Sequence, residues 1–163
     1  MNRQKSISLR DFRETDVLPI RELICHTIDV SYSSIYPPRA VQFFKDFHTE
    51  AKIIERHQKG YTIVVEKDGK VIGTGSLVDV DIFGVFVNPD FQHQGWGKSI
   101  MKELEKKAFI KGISEVTLSV SLPSRRFYED LGYEIIEDRR IDVGEGQSLD
   151  YWEAKKTLSG EES

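Results

Sequence analysis

The chain has 163 residues, of which 39% are hydrophobic and 31% charged, with a net charge of −4. This balance predicts one domain with its own core and a cytoplasmic protein. Lysine and arginine are interleaved with acidic residues, which leaves no footprint for nucleic acid. No apolar run approaches the roughly 18 residues of a membrane span. Residues 1–9 alternate instead of forming a signal-peptide core, and the single cysteine, Cys25, excludes an internal disulfide and suits a reducing compartment.

Residues 6–12 alternate through Ile7 and Leu9, a predicted first strand. Thr15 or Asp16 is placed to cap a helix carrying Leu18, Ile20, Leu23, Ile24 and Ile28, with Pro19 in its first turn, where proline is tolerated. A turn-rich connection over 31–38 holds Tyr32 and Tyr36. The spacing of Val41, Phe44, Phe47 and Ile54 then predicts one second helix ending by Gly60. Strands are predicted over 61–66 and 71–78, joined by the hairpin pair Asp68-Gly69, and over 81–87. The third is apolar enough to be buried on both faces, and Gly84 inside it signals a bulge or a close backbone approach.

The next helix, 97–111, buries Ile100, Leu104 and Ala108 beside Met101. It turns Lys102, Glu103, Lys106 and Lys107 to water and stops at Gly112, a left-handed cap. A strand over 115–120, a short helix over 123–131 closed by Gly132, and strands over 133–137 and 147–158 complete the order β-α-α-β-β-β-α-β-α-β-β. That order describes an α/β domain with a mixed sheet over residues 1–158, followed by a frayed tail at 159–163.

The most informative stretch runs from Val87-Asn88-Pro89 through Gln92, His93, Gln94, Gly95, Trp96, Gly97 and Lys98. A strand feeding a glycine-containing turn into a helix start is an anion site: the first helical N–H groups are unpaired and carry roughly half a positive charge. Gly97-Lys98-Ser99 matches the tail of a nucleotide-binding P-loop, but that loop needs a glycine where Gln92 stands. A dinucleotide fingerprint fails at the same position, because Gln92-x-x-Gly95-x-Gly97 lacks its first glycine.

Downstream lies Ser121-Leu122-Pro123-Ser124-Arg125-Arg126-Phe127-Tyr128, continuing to Leu131-Gly132-Tyr133. The two segments together resemble the GNAT superfamily of acetyl-CoA-dependent N-acetyltransferases. That family's pyrophosphate loop reads [R/Q]-x-x-G-x-[G/A] after a V-x-P strand, and its later segment reads N-x-x-A-x-x-[F/L]-Y-x-x-x-G-[F/Y]. Two departures stand out: Ser121 occupies the position of an asparagine that contacts the coenzyme, and Ser124 that of an alanine.

The resemblance implies a GNAT-like fold, with a largely antiparallel central sheet splayed between the fourth and fifth strands and flanked by helices. It also implies acetyl-CoA as acyl donor, with no metal. Pyrophosphate would lie on backbone N–H groups from His93 to Lys98, and the pantetheine arm along Val85, Phe86 and Val87, where an amide of Phe86 or Val87 could polarise the thioester carbonyl. Tyr128 is the expected acid for the departing thiolate; packing beside Phe127 is its plain structural alternative. Asp81, or its neighbour Asp79, is the candidate base, against the alternatives of a solvated strand end or a water chain.

Other residues offer less. Cys25 and His26 are adjacent on a helix and diverge, and His26, His48, His57 and His93 have no metal-ligand spacing. The acceptor amine is expected between residues 28–47 and a loop over 139–148, with Tyr32, Tyr36 and Phe44 lining an apolar or cation-binding pocket. A protein N-terminus, a lysine, a polyamine and an aminoglycoside all remain open as acceptors. The resemblance also allows a homodimer paired through the final strands. A non-catalytic acyl-CoA sensor on the same fold is the alternative to an enzyme.

Overall fold

Seven strands form one sheet in the order β1-β2-β3-β4-β5-β7-β6, in the computed structural model, which describes residues 7–160. The predicted start of the first strand at Ser6 and the end of the tail at 161–163 lie outside the described residues. In chain order the elements are β1 (Ile7–Asp11), α1 (Val17–Ser31), α2 (Pro38–Phe47), α3 (Glu50–Lys59), β2 (Tyr61–Lys67), β3 (Lys70–Val78) and β4 (Asp81–Val87). After them come α4 (Trp96–Ile110), β5 (Glu115–Ser121), α5 (Arg125–Asp130), β6 (Glu134–Gly144) and β7 (Gln147–Thr157). Every neighbouring pair is antiparallel except β4 with β5.

The sheet is covered on both faces, and the pleat sends alternate residues into two separate cores. Ile63, Val65 and Ile72 pack with Ile100, Met101, Leu104 and Ala108 of α4. Val64 and Val71 point the other way, against Ile20, Leu23, Ile24 and Ile28 of α1 and Ile53 of α3. This explains why β2 and β3 are buried at consecutive residues, polar Thr62, Thr74 and Ser76 included, and not at alternate ones. Arg10 links three elements, bonding to Asp16 (2.8 Å) at the start of α1 and to Glu66 (3.0 Å) on β2. On α4, buried Glu105 accepts from the Tyr133 hydroxyl (2.8 Å) and the Lys156 ammonium (2.9 Å), a connection that surface periodicity hides.

Several sequence expectations change. The single second helix is two, because His48 leaves helical geometry and Thr49 starts a new helix, its side chain accepting from the Lys52 amide. Helical phase restarts there, so Ile53 is buried and Ile54 is exposed. The expected loop over 139–148 is mostly strand. β6 runs on to Gly144 and turns through Glu145 and Gly146, both at positive φ, into β7. As the sheet's outer strand, β6 is largely exposed, so its charged sequence carries no apolar alternation. The short helix over 123–131 is a 3-10 turn at Leu122–Ser124 followed by α5.

The bulge expected at Gly84 is present. Thr74 pairs with Phe86 and Ser76 with Phe83, so Gly84 and Val85 together oppose Gly75, with Gly84 at φ +61. β4 is buried on both faces only in part: Ile82 enters the α4 core and Phe86 the α1 core, while its other residues are half-exposed. The reason is the neighbouring strand. β4 pairs with β5 only at Asp81↔Thr117 and Ile82↔Leu118, and the two strands part beyond that point.

Gly75 lies under α4, where an added Cβ would sit 2.8 Å from Ile100 Cγ2 and 3.0 Å from Leu104 Cδ1. Both neighbours are fully buried and have no room to move. Gly75→Ala should therefore destabilise the fold by about 1–3 kcal/mol, read as a lower urea midpoint at unchanged slope.

Candidate functional site

The loop between β4 and α4 is braced from below. The Asn88 side chain accepts from the Asp90 amide (2.9 Å), and Gln92 Nε2 donates to the Val87 carbonyl (3.0 Å). The Gln92 side chain thus fixes the loop to the end of β4. His93 and Gly95 take positive φ, turning the chain into α4. The Ser99 amide bonds to the Gly95 carbonyl at 3.0 Å, so the amides of Trp96, Gly97 and Lys98 ahead of it have no helical acceptor. Lys98 is exposed, and the Trp96 indole nitrogen is buried with no protein partner.

Gly97 is hemmed in by α5: a Cβ there would stand 3.0 Å from Phe127 Cζ and 3.1 Å from Cε1. The two sequence segments read as one site are therefore in contact. Next to Phe127, Tyr128 is buried and meets the Phe127 and Tyr133 rings edge-on at 5.0 and 5.7 Å. Burial pushes its phenol above the ordinary tyrosine range, so the hydroxyl keeps its proton at neutral pH.

Where β4 and β5 part, a cavity of about 200 Å³ opens. Val85 and Phe86 line it from one strand, and Ser121, Ser124 and Tyr128 from the other side. The two serines are bonded to each other (2.8 Å), and Ser121 Oγ is 3.0 Å from the Tyr32 hydroxyl. The two departures from the family pattern thus form one hydroxyl chain with Tyr32 of α1's C-terminal end. Tyr36 is part of the scaffold: its hydroxyl accepts from the Leu122 amide (2.8 Å) and donates to the Asp150 carbonyl (2.7 Å). Tyr32, Tyr36 and Phe44 form a mutually packed ring cluster, of which Tyr32 and Phe44 reach the cavity.

Asp81 stands one residue outside the cavity wall, its carboxylate accepting a hydrogen bond from the Thr117 hydroxyl across the parallel pair. Asp79 occupies the turn before β4 at positive φ. The polar residue that does line the cavity beside Phe86 is His48, which lacked any sequence signal. Its Nδ1 lies 2.9 Å from Arg56 Nη1. A guanidinium only donates, so Nδ1 accepts and the ring proton sits on Nε2. Burial first, then the charges of Arg56, Arg21 and Lys52, bring the imidazole down from 6.5 to about 3. Arg56 is itself buried, which lowers it to about 10, still charged at neutral pH.

The model of the Acetyltransferase (GNAT) family matches residues 22–133, a span reaching from α1 through the loop and Tyr128 to Tyr133. The chain belongs to this family. It is an acyltransferase of the GNAT N-acetyltransferase type. The N-acetyltransferase YafP of Escherichia coli is similar, at 21% identity over 137 residues, 84% of this chain and 87% of that protein. The GCN5-related N-acetyltransferase of Rhodopseudomonas palustris shares the fold at a TM-score of 0.84 and 21% identity, over 97% of this chain and 100% of that one. YncA of Salmonella typhimurium, solved with its cofactor acetyl-CoA, has a TM-score of 0.70 at 21% identity over 96% of both chains. The split between β4 and β5 thus lies within a GNAT fold.

His48 ties this site to pH. Its folded value is depressed, so its contribution to stability is complete above the unfolded value near 6.5 and is lost as pH falls toward about 3. Stability measured by urea unfolding should decline across that window. His48→Gln, which keeps an acceptor for Arg56 without a titrating ring, should flatten the upper part of the decline.

Proposed function

We propose that this chain moves the acetyl group of acetyl-CoA directly onto a primary amine, at the mouth formed where β4 leaves β5. The observation that carries this reading is the contact between Gly97 and Phe127, which joins an anion-binding helix start to the segment bearing Tyr128 beside one cavity.

The amides from His93 to Lys98 suit a pyrophosphate, since α4 opens with unpaired N–H groups and Lys98 adds an exposed charge. Beyond Ile82 the edge of β4 has no strand partner, so Val85, Phe86 and Val87 can bond the amides of the pantetheine arm as a missing strand would. An amide of Phe86 or Val87 then polarises the thioester carbonyl. Ser121 and Ser124 supply hydroxyls to the coenzyme in place of the family's asparagine. The amine attacks the carbonyl carbon, the C–S bond breaks, and Tyr128 gives its proton to the departing sulfur. A thiol near pKa 8.5 leaves readily, so this proton contributes a modest part of the rate. The amine's own proton reaches solvent through water, with Asp81 as the nearest carboxylate beyond the wall of β4.

Thiol release from acetyl-CoA in the presence of amines tests the reading. Binding of the coenzyme with no transfer to any amine would favour the sensor alternative. Tyr128→Phe should lower kcat by roughly 100-fold while calorimetry still records coenzyme binding; unchanged turnover would remove the acid role. Gly97→Glu, by colliding with Phe127 and setting a negative charge at the helix start, should abolish acetyl-CoA binding in the same calorimetric experiment.

A further inference from the structure

The acceptor end of the cavity has an uneven charge distribution that bears on the kind of amine it takes. Among the described residues, no Asp, Glu, Lys or Arg side chain lines the cavity. Two carboxylates on strand residues next to lining positions are held by hydroxyls, Asp81 by Thr117 and Glu153 by Ser119 (2.9 Å). Behind the wall formed by Phe47, His48, Phe83 and Gly84 lies a cation. Arg56 donates to His48 Nδ1 and to the Phe47 carbonyl (2.8 Å) and forms no ion pair with a carboxylate among the described residues. A Cβ on Gly84 would stand 3.1 Å from Arg56 Nη1, so the charge presses directly on the cavity's backbone wall.

An aromatic wall can hold cations by its ring faces, so the rings require separate accounting. Phe47 is already covered by Lys52 at 4.8 Å and Arg56 at 5.2 Å, and Phe83 by Arg56 at 5.4 Å. Tyr32 and Phe44 meet edge to face and are committed to each other. His48, holding its proton on Nε2, has only a donor left to offer. The wall around Phe44, Phe47 and Phe83 is therefore largely apolar, has Arg56 behind it, and offers no carboxylate to a second ammonium among the described residues.

From these observations we propose, on top of the transferase reading above, that the acceptor is a small monoamine on an apolar body about the size of one aromatic ring, with no second cationic centre. Its ring fills the slot between Phe44, Phe47 and Phe86. The cavity is well below the roughly 300 Å³ at which drug-sized ligand sites begin, which excludes long or many-ringed acceptors from full entry. The charge of Arg56 favours the neutral form of the entering amine, which is the form that attacks. The site then needs no carboxylate base in contact with the amine, in keeping with a wall that has none.

The test compares kcat/KM by thiol release from acetyl-CoA for phenylethylamine, spermidine and an aminoglycoside. Phenylethylamine should exceed both polycations by about tenfold or more. In Phe43→Glu, a half-exposed rim position of α2, a carboxylate is placed where none exists, and the preference should shift toward spermidine. Acetyl-CoA binding by calorimetry reports that the variant is folded, and Phe43→Gln separates lost apolar area from added charge. A wild-type preference for either polycation, or coenzyme binding with no transfer to phenylethylamine, overturns the assignment of the acceptor and leaves the coenzyme site standing. Failure of the wild-type chain to bind acetyl-CoA overturns the transferase reading and this one with it.

Discussion

The parting of β4 from β5 is the constraint on which the site depends. Two parallel residue pairs and the Asp81–Thr117 bond hold the strands together at one end. Beyond them, backbone groups that a sheet would normally satisfy are left facing a slot. A split in the middle of a sheet survives only if each half is stable on its own. Here β1 to β4 form a continuous antiparallel half, and β5, β7 and β6 form the other. The helices then close the structure across the gap: α4 packs on β3 through Ile100 and Leu104 and reaches the second half through Glu105, bonded to Tyr133 and to Lys156 of β7, while Tyr36, between α1 and α2, ties to β7 and to the start of the α5 segment.

The same geometry explains why the chemistry collects in one place. The bulge at Gly84 and Val85 bends β4 just after it loses β5, and the glycine allows Arg56 and His48 to come against the strand from the opposite layer. On the far side, the loop leaving β4 is held by Gln92 and delivers the start of α4 against Phe127. A helix start with unpaired amides, a slot with an unpaired strand edge, and an apolar end backed by a buried cation thus follow one another along a single strand, each differing in polarity from the next.

Much of this was legible in the chain. The hairpin at Asp68-Gly69, the strand 81–87 with its bulge, the glycine-containing loop with the helix after it, and the Phe127-Tyr128 segment rest on local rules of turn chemistry and periodicity, and they stand in the structure where those rules put them. The break at His48 and Thr49 was missed because the apolar spacing of Val41, Phe44 and Phe47 runs smoothly into Ile54 when the Thr49 cap is ignored. β6 extends past the predicted strand because its middle, residues 136–140, is exposed and charged, and the bulge after Ile135 breaks any alternation with Ile141 and Val143.

The sequence by itself determined the strand order along the chain, the loop-to-helix junction before α4 and the family, since each is written in residues close together along the chain. The tertiary structure decided what no local pattern encodes. It set Arg56 behind His48, bonded Ser121 to both Ser124 and Tyr32, gave Asp81 to Thr117 instead of the cavity, and left the cavity wall without a carboxylate among the described residues. Most of these pairings join residues on different elements, and their energies come from desolvation and long-range contact, which only the assembled sheet and its two helical layers bring into being.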